Sequence, residues 1–254
     1  MSIHSIAAAI KKIIYAKGEP YLFSHSTLKF YPGTRPIKRK YINANNDVVR
    51  NDVLQINYFE KHFKPNDIFW DLGSHNGHYS IFAASIVNGN NQVFSFEPDP
   101  VASKVQEANI KLNNFQQKIN LLKIAVSNTN GILLFDAQDG NSTSHIIKNK
   151  QEGKGTVVEV STKTIDTLLQ ELPEPTFIKI DTEGAEIDIL KTADILLANP
   201  NIKFICELHP FAWDGFGVKY QEFTDILKKH NRTLSLLDTN KKIADLPYYG
   251  TVLF

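Results

Sequence analysis

After residue 65 the chain alternates between two hydrophobic periods. Short β-prone runs recur at 68–72 (IFWDL), 92–97 (QVFSFE), 119–126 (INLLKIAV), 176–180 (TFIKI) and 203–208 (KFICEL). Between several of them the apolar positions take helical spacing. Val101, Val105, Ala108 and Leu112 share one helix face, and Ile189, Ala193, Leu196 and Leu197 share another. Strands that are apolar on both faces and separated by helices predict a parallel sheet covered on each side. Right-handed crossovers then give a doubly wound, Rossmann-like α/β fold. The runs TLSLLD (233–238) and YYGTVLF (248–254) lie too close together for a helical crossover, so they predict an antiparallel C-terminal pair at the sheet edge. Residues 131–135 and 156–162 read as a further β excursion around a polar, lid-like loop at 137–153. Residues 1–60, with turns at Gly18-Glu19-Pro20 and Pro32-Gly33, are expected to form a small N-terminal cap of one helix plus short strands, leaving 61–254 as the main domain.

Charge narrows the partners. With 28 basic against 27 acidic residues, the net charge of +1 gives no global pull toward nucleic acid or anionic lipid. Cys206 is the single cysteine and sits in an apolar run, so it reads as core and fits a reducing compartment. No stretch approaches the roughly 18 apolar residues that span a bilayer. The opening MSIHSIAAAIKKIIYAKG is interrupted by Lys11 and Lys12 and lacks the ordered regions of a secretory signal, so it predicts an amphipathic helix. The expectation is a cytoplasmic protein with a small-molecule substrate, no nucleic-acid partner and no membrane span. A homo-oligomer is left open.

The first main strand runs into a glycine loop and a helix, IFWDLGSHNGHYSIFAA (68–84). Asp71, Gly73 and Gly77 do not follow the spacing of a dinucleotide fingerprint. Gly73 permits a sharp turn off the strand, and Gly77 lets a ligand approach the helix start. A carboxylate at Asp71 suits an amine-bearing ligand better than a pyrophosphate. Glu97 closes the second strand, where an acid accepts hydrogen bonds from ribose hydroxyls. Together these residues point to a nucleoside ligand. The later run FIKIDTEGAE (177–186) crowds Asp181, Glu183 and Glu186 at the end of a buried strand, a costly arrangement unless the acids bind something. Ligands of open α/β sheets bind outside the carboxyl ends of the strands. Asp71, Glu97, Asp181 and Glu207 should therefore converge on one crevice, with Ala125 and Val126 at the third strand end.

The set DLGSHNGHYS, FSFEPDP, ANIKLNN, FIKIDTEGAEIDIL and CELHP resembles, in order from about residue 67 to 210, the FkbM-like family of S-adenosylmethionine-dependent methyltransferases. The resemblance implies a class I methyltransferase fold, S-adenosylmethionine as methyl donor, and an oxygen on a sugar or glycan precursor as acceptor. Where the family usually carries Asn in this loop the chain has His75, which implies an altered cofactor contact, since imidazole still donates or accepts a hydrogen bond. The cofactor set is then Asp71, Gly73, His75, Gly77, Glu97, Ala125 and Val126.

Asp181, Glu183, Glu207 and His209 remain for the acceptor. A sugar hydroxyl is a poor nucleophile until its proton leaves, so a positioned base is required. Asp181 and His209 are assigned to act on the acceptor, with Glu207 anchoring it and Glu183 beside it. No metal is assigned. The alternative is Mg²⁺ on Asp181 and Glu207, acidifying a bound hydroxyl. Asn141, Ser142 and His145 in the polar loop, and Trp213 in HPFAWDGFG (209–217), are further candidates to touch a polyhydroxylated substrate. Glu186 reads as a stabiliser of the following helix's positive end, and His78 as a surface or packing residue. Two other classes compete. A nicotinamide-dependent sugar enzyme would need a Gly-x-Gly-x-x-Gly loop and a Tyr-x-x-x-Lys pair, and YQEFT (220–224) puts Thr224 at the Lys position. A non-catalytic binding protein would have little use for acids at four strand ends.

Overall fold

Apolar, β-branched and aromatic strands form the centre of the structure, a computed structural model that describes residues 17–43, 45–138 and 143–254. The expected N-terminal helix over the first residues lies outside that range. The described chain opens with a hairpin, β1 (Glu19–Phe23) and β2 (Ser26–Phe30), followed by helix α1 (Asp47–His62). Asn46 caps α1 by accepting from the Val49 N–H at 3.0 Å. Then come β3 (Phe69–Leu72), α2 (His78–Ile86), β4 (Val93–Phe96), α3 (Pro100–Leu112) and β5 (Ile119–Leu122). Asp99 and Pro100 start α3 in the usual way, the carboxylate accepting from the N–H groups of Val101 and Ala102 and the proline sitting at the first helical position.

A second sheet follows, made of β6 (Ala125–Val126), β7 (Gly131–Ala137), β8 (His145–Ile147) and β9 (Thr156–Lys163). The chain returns through α4 (Ile165–Glu171), β10 (Phe177–Ile180), α5 (Glu186–Leu190), α6 (Asp194–Ala198) and β11 (Lys203–Leu208). It ends with α7 (Trp213–Phe216), α8 (Tyr220–Lys229), β12 (Ser235–Leu236) and β13 (Gly250–Leu253).

The seven-stranded sheet has the order β12-β13-β11-β10-β3-β4-β5. β5, β4, β3, β10 and β11 are mutually parallel, while β13 runs antiparallel to both β11 and β12. This is the doubly wound sheet with an antiparallel C-terminal pair at its edge that the hydrophobic pattern predicts. Strand order reverses between β3 and β10, which opens a crevice there. One face of the sheet packs against α4, α5, α6 and α8 through Leu168, Ile187, Leu190, Leu197 and Phe223. The other face packs against α1, α2 and the β1–β2 hairpin through Phe23, Phe30, Phe59, Phe63, Phe69, Phe82 and Phe177. Phe23 stacks on Phe82 with ring centroids 4.0 Å apart, so the expected boundary near residue 60 runs through a shared hydrophobic core.

One expected strand divides. The run 119–126 pairs with β4 only as far as Leu122. Beyond Ile124 the chain leaves the edge of the main sheet, and Ala125 and Val126 pair with Thr162 and Lys163 in the second sheet. Ala125 and Val126 are therefore not the end of the third main strand. Among the described residues no helix is long and apolar enough to cross a membrane.

Candidate active site

A cavity of about 410 Å³ opens at the carboxyl ends of β3, β4 and β10, over the point where strand order reverses. Asp71, Gly73, His75, Glu97, Ala125 and Val126 line one part of it; Asp52, Asp181, Glu183, Glu207 and Tyr249 line the rest.

The first part is built by the β3–α2 loop. Gly73 takes φ +74°, and a Cβ there would lie 1.8 Å from the Asp181 carbonyl oxygen, so β3 and β10 approach each other only over a glycine. Gly77 is also left-handed, at φ +76°, and its N–H donates to Ser74 O at the entry to α2. The His75 N–H donates to Glu97 Oε2 at 2.6 Å, and the Asp99 N–H donates to Glu97 Oε1 at 2.7 Å. Burial pushes the Glu97 carboxyl up to about 8 in spite of those two donors. Asp71 is 1% exposed; Ser80 Oγ donates to its Oδ2 at 2.6 Å, while its buried Oδ1 has no hydrogen-bond partner within the protein. Burial lifts Asp71 to about 6. His75 thus holds Glu97 through its backbone. His75, the residue the sequence singles out, lines the cavity with φ +49°.

The second part is charged. Lys179, buried in β10, donates to Asp181 Oδ2 at 2.6 Å, and its ammonium lies 4.9 Å from the Tyr79 ring centroid. Burial opposes ionisation of Asp181, but the Lys179 and His209 charges hold its carboxyl below the usual range. Glu207 accepts from Gln55 Nε2 at 2.5 Å and from the Tyr249 hydroxyl. Burial and the Asp181 charge push it up. Asp52 and Glu183 each rise to about 7, again first through burial.

His209 does not line the cavity, but its Nε2 faces three carboxylates that do: Asp181 at 3.8 Å, Glu183 at 3.7 Å and Glu207 at 4.0 Å. Its Nδ1 meets Glu186 Oε1 at 2.9 Å. Burial works against a proton on His209, yet the Glu186 contact and the surrounding acids raise it to about 10.

Glu186 is fully buried and anchors the centre, accepting from the Gly184 N–H at 2.8 Å and from Trp213 Nε1 at 3.0 Å in addition to His209. It stands in the first turn of α5, as expected, and also binds His209 and Trp213. Trp213 is turned inward to make that bond and stacks along Tyr220, so it lies behind the cavity instead of lining it. In the polar loop Ser144 reaches the cavity and donates to Asp99 Oδ2 at 2.7 Å. His145 does not line it; its Nδ1 meets Thr143 O at 2.8 Å. Asn141 and Ser142 lie outside the described residues. His78 is a wall of the cavity, neutral because burial lowers it to about 4, with Nε2 2.5 Å from Thr34 O.

Asp52, Lys179 and Tyr249 escape a reading of strand ends alone. The signal for Asp52 was a helix, α1, that carries Asn51 and Gln55 on the face where Ile56 and Phe59 are buried.

Residues 71–234 match the methyltransferase FkbM domain, more than half of the chain. Hexuronic acid methyltransferase AglP of Haloferax volcanii is 26% identical over 180 residues, which make up 69% of this chain and 67% of that protein. The crystal structure of methyltransferase FkbM from Methylobacillus flagellatus superimposes with a TM-score of 0.48 at 14% identity, covering 83% of this chain and 55% of that one. This chain therefore spans little more than half the length of that protein. Precorrin-6y C5,15-methyltransferase from Geobacter metallireducens gives 0.46 at 14% identity, over 83% of this chain and 89% of that one. With its doubly wound sheet and a domain match that runs from Asp71 past Asp181, Glu183, Glu207 and His209, the chain belongs to the FkbM methyltransferase family.

Proposed function

We propose that the protein is an S-adenosylmethionine-dependent O-methyltransferase that methylates a hydroxyl of a saccharide, in the form of a glycan precursor such as a nucleotide-activated sugar. The observation that carries the reading is the buried Asp71 Oδ1, an acceptor with no protein donor, on the same cavity wall as Glu97. An unpaired buried carboxylate oxygen is costly, and a ligand amine relieves that cost. The residues fit the cofactor: Asp71 would take its amine, Glu97 its ribose hydroxyls, and Ala125 and Val126 an apolar ring, with Gly73 and Gly77 keeping the loop close. When bound, it supplies a methyl group activated by a sulfonium charge.

What remains for the chain is to bind and orient an acceptor oxygen and to remove its proton. Asp181, Glu183 and Glu207 are assigned to hold the acceptor hydroxyl, with His209 behind them. Asp52, whose carboxyl stands near 7, has the proton affinity suited to a base at neutral pH. The saccharide class is supported by the relative that acts on hexuronic acid, and by a cavity end rich in hydrogen-bonding groups.

The test is calorimetric titration with S-adenosylhomocysteine of the wild type and of Glu97→Ala. Binding in the wild type that is lost or much weakened in the variant is the expected result. No binding to the wild type would overturn the proposal. The same preparation, supplied with radiolabelled donor and a panel of sugar nucleotides, then identifies the acceptor.

A further inference from the structure

The acidic end of the cavity has a gap in its hydrogen bonding. Asp181, Glu183 and Glu207 converge there. His209, whose side chain is 2% exposed, aims Nε2 at all three from 3.7 to 4.0 Å and makes no hydrogen bond with any of them. These separations are too long for N–H···O bonds, which lie near 3 Å. They suit atoms that share an ion. Ligand bonds of about 2.0–2.2 Å put neighbouring donors roughly 3 Å apart at right angles and roughly 4.2 Å apart across the ion. The Asp181, Glu207 and His209 ligand atoms all lie within 4.8 Å of one another.

We propose that Asp181, Glu207 and His209 Nε2 form a divalent-cation site at the acceptor end of the cavity. The ligand set of two carboxylates and one imidazole suits Mn²⁺ better than the all-oxygen coordination that Mg²⁺ prefers. Glu183, whose Oε2 is 3.7 Å from the same nitrogen, is close enough to add a further oxygen.

Each ligand is already held by neighbouring groups. Glu186 holds His209 at Nδ1, which leaves Nε2 as the coordinating nitrogen, the carboxylate–histidine–metal arrangement that recurs in metal sites. Lys179 holds Asp181 through Oδ2, leaving Oδ1 toward His209. Gln55 and Tyr249 hold Glu207. The sequence suggested only a pair of carboxylates for Mg²⁺; the structure adds the nitrogen ligand and its orienting acid. The site's use rests on the methyltransferase reading. A cation held by Asp181 and Glu207, which line the cavity, would make an acceptor hydroxyl bound to it more acidic than a free one.

The experiment uses the intact chain after treatment with a chelator and its removal, without any methyl donor. Mn²⁺ is titrated and the free ion counted from its paramagnetic resonance signal, with electron spin-echo spectra recorded on the bound form. The expected result is one Mn²⁺ per chain, nitrogen modulation in the bound wild type, and affinity at least about tenfold weaker in His209→Ala and in Glu207→Gln. Glu97→Gln should bind Mn²⁺ like the wild type. No binding by the wild type up to about 1 mM, a weak limit for a specific protein site, overturns the proposal. So does bound Mn²⁺ without nitrogen modulation, a result that needs no variant to fold. S-adenosylhomocysteine is titrated into the same samples. If it binds and Mn²⁺ does not, the cation site alone fails; if it does not bind, the methyltransferase reading fails whatever Mn²⁺ does.

Discussion

Replacing Glu186 with glutamine changes one atom of a fully buried side chain and should destabilise the protein more than most surface substitutions. Glu186 Oε1 accepts from the Gly184 N–H and meets His209 Nδ1, while Oε2 accepts from Trp213 Nε1. Glutamine keeps one oxygen. If that oxygen stays with Gly184 and His209, the new NH₂ confronts the indole N–H, and a buried donor is left unpaired at a cost of about 1–3 kcal/mol. The contact with His209 also loses its charge, worth about 1 kcal/mol as the difference between charge-assisted and neutral hydrogen bonds. The sum is about 2–4 kcal/mol. With a urea dependence near the upper end of the usual range, about 3 kcal/mol per molar, the unfolding midpoint should fall by about 1 M.

Asp188→Asn, on the same helix but paired with Lys191 at the surface, is the control and should cost no more than about 1 kcal/mol. Trp213 is one of only two tryptophans, so its emission gives a second readout, shifting to the red in Glu186→Ala as water reaches the indole. A Glu186→Gln protein within about 0.5 kcal/mol of the wild type, the spread of ordinary surface substitutions, would refute the three-donor arrangement.

Gly73→Ala should cost about 2–5 kcal/mol, adding a left-handed backbone penalty to overpacking against the Asp181 carbonyl; thermal unfolding checks it, and a wild-type melting temperature would refute it. Gly77→Ala meets the side chain of Gln106 instead of backbone, so it should be the milder of the two in the same assay. Glu97 gives a pH dependence of known sign in the ligand-free protein. Its carboxyl titrates near 8 when folded and near 4.5 when unfolded. Between those values the folded state holds the extra proton, so this group's contribution is full below 4.5 and is lost as pH rises toward 8. The stability of Glu97→Gln relative to wild type should therefore increase from pH 4.5 to 8, measured as paired urea midpoints; a constant difference would refute the shift. Cys206 is fully buried, and a thiol reagent should label it at the rate of structural opening, with full reactivity in denaturant.

The parts of this protein legible in its sequence are those set by short-range periodicity. β3, β4, β10 and β11 are buried along nearly their whole length, so each appears as a short apolar run, and an acid that follows or ends such a run stands out. Asp71, Glu97, Asp181 and Glu207 were found that way. Ala125 and Val126 were misplaced because an apolar run does not reveal that the chain changes sheets at Lys123 and Ile124. Glu186 was read only in part for a related reason. An acid in the first turn of a helix looks like a partner for the helix dipole, and its other partners, His209 and Trp213, lie 23 and 27 positions away. Their convergence depends on β10 and β11 being neighbours, a consequence of strand order.

Lys179 shows the same limit at closer range. Alternation along β10 predicts a side chain pointing to one face of the sheet, but only the register that sets Lys179 beside Asp71 explains a buried ammonium there. Three acids are held near one another in one cavity, and the basic groups that make this tolerable come from a strand interior and from beyond the next strand. Motif reading recovers the acids because they stand at or just beyond the ends of apolar runs. The groups that orient them are dispersed over α1, β10, the segment after β11 and the C-terminal tail, so the chemistry of the site becomes readable only once those four segments are brought together.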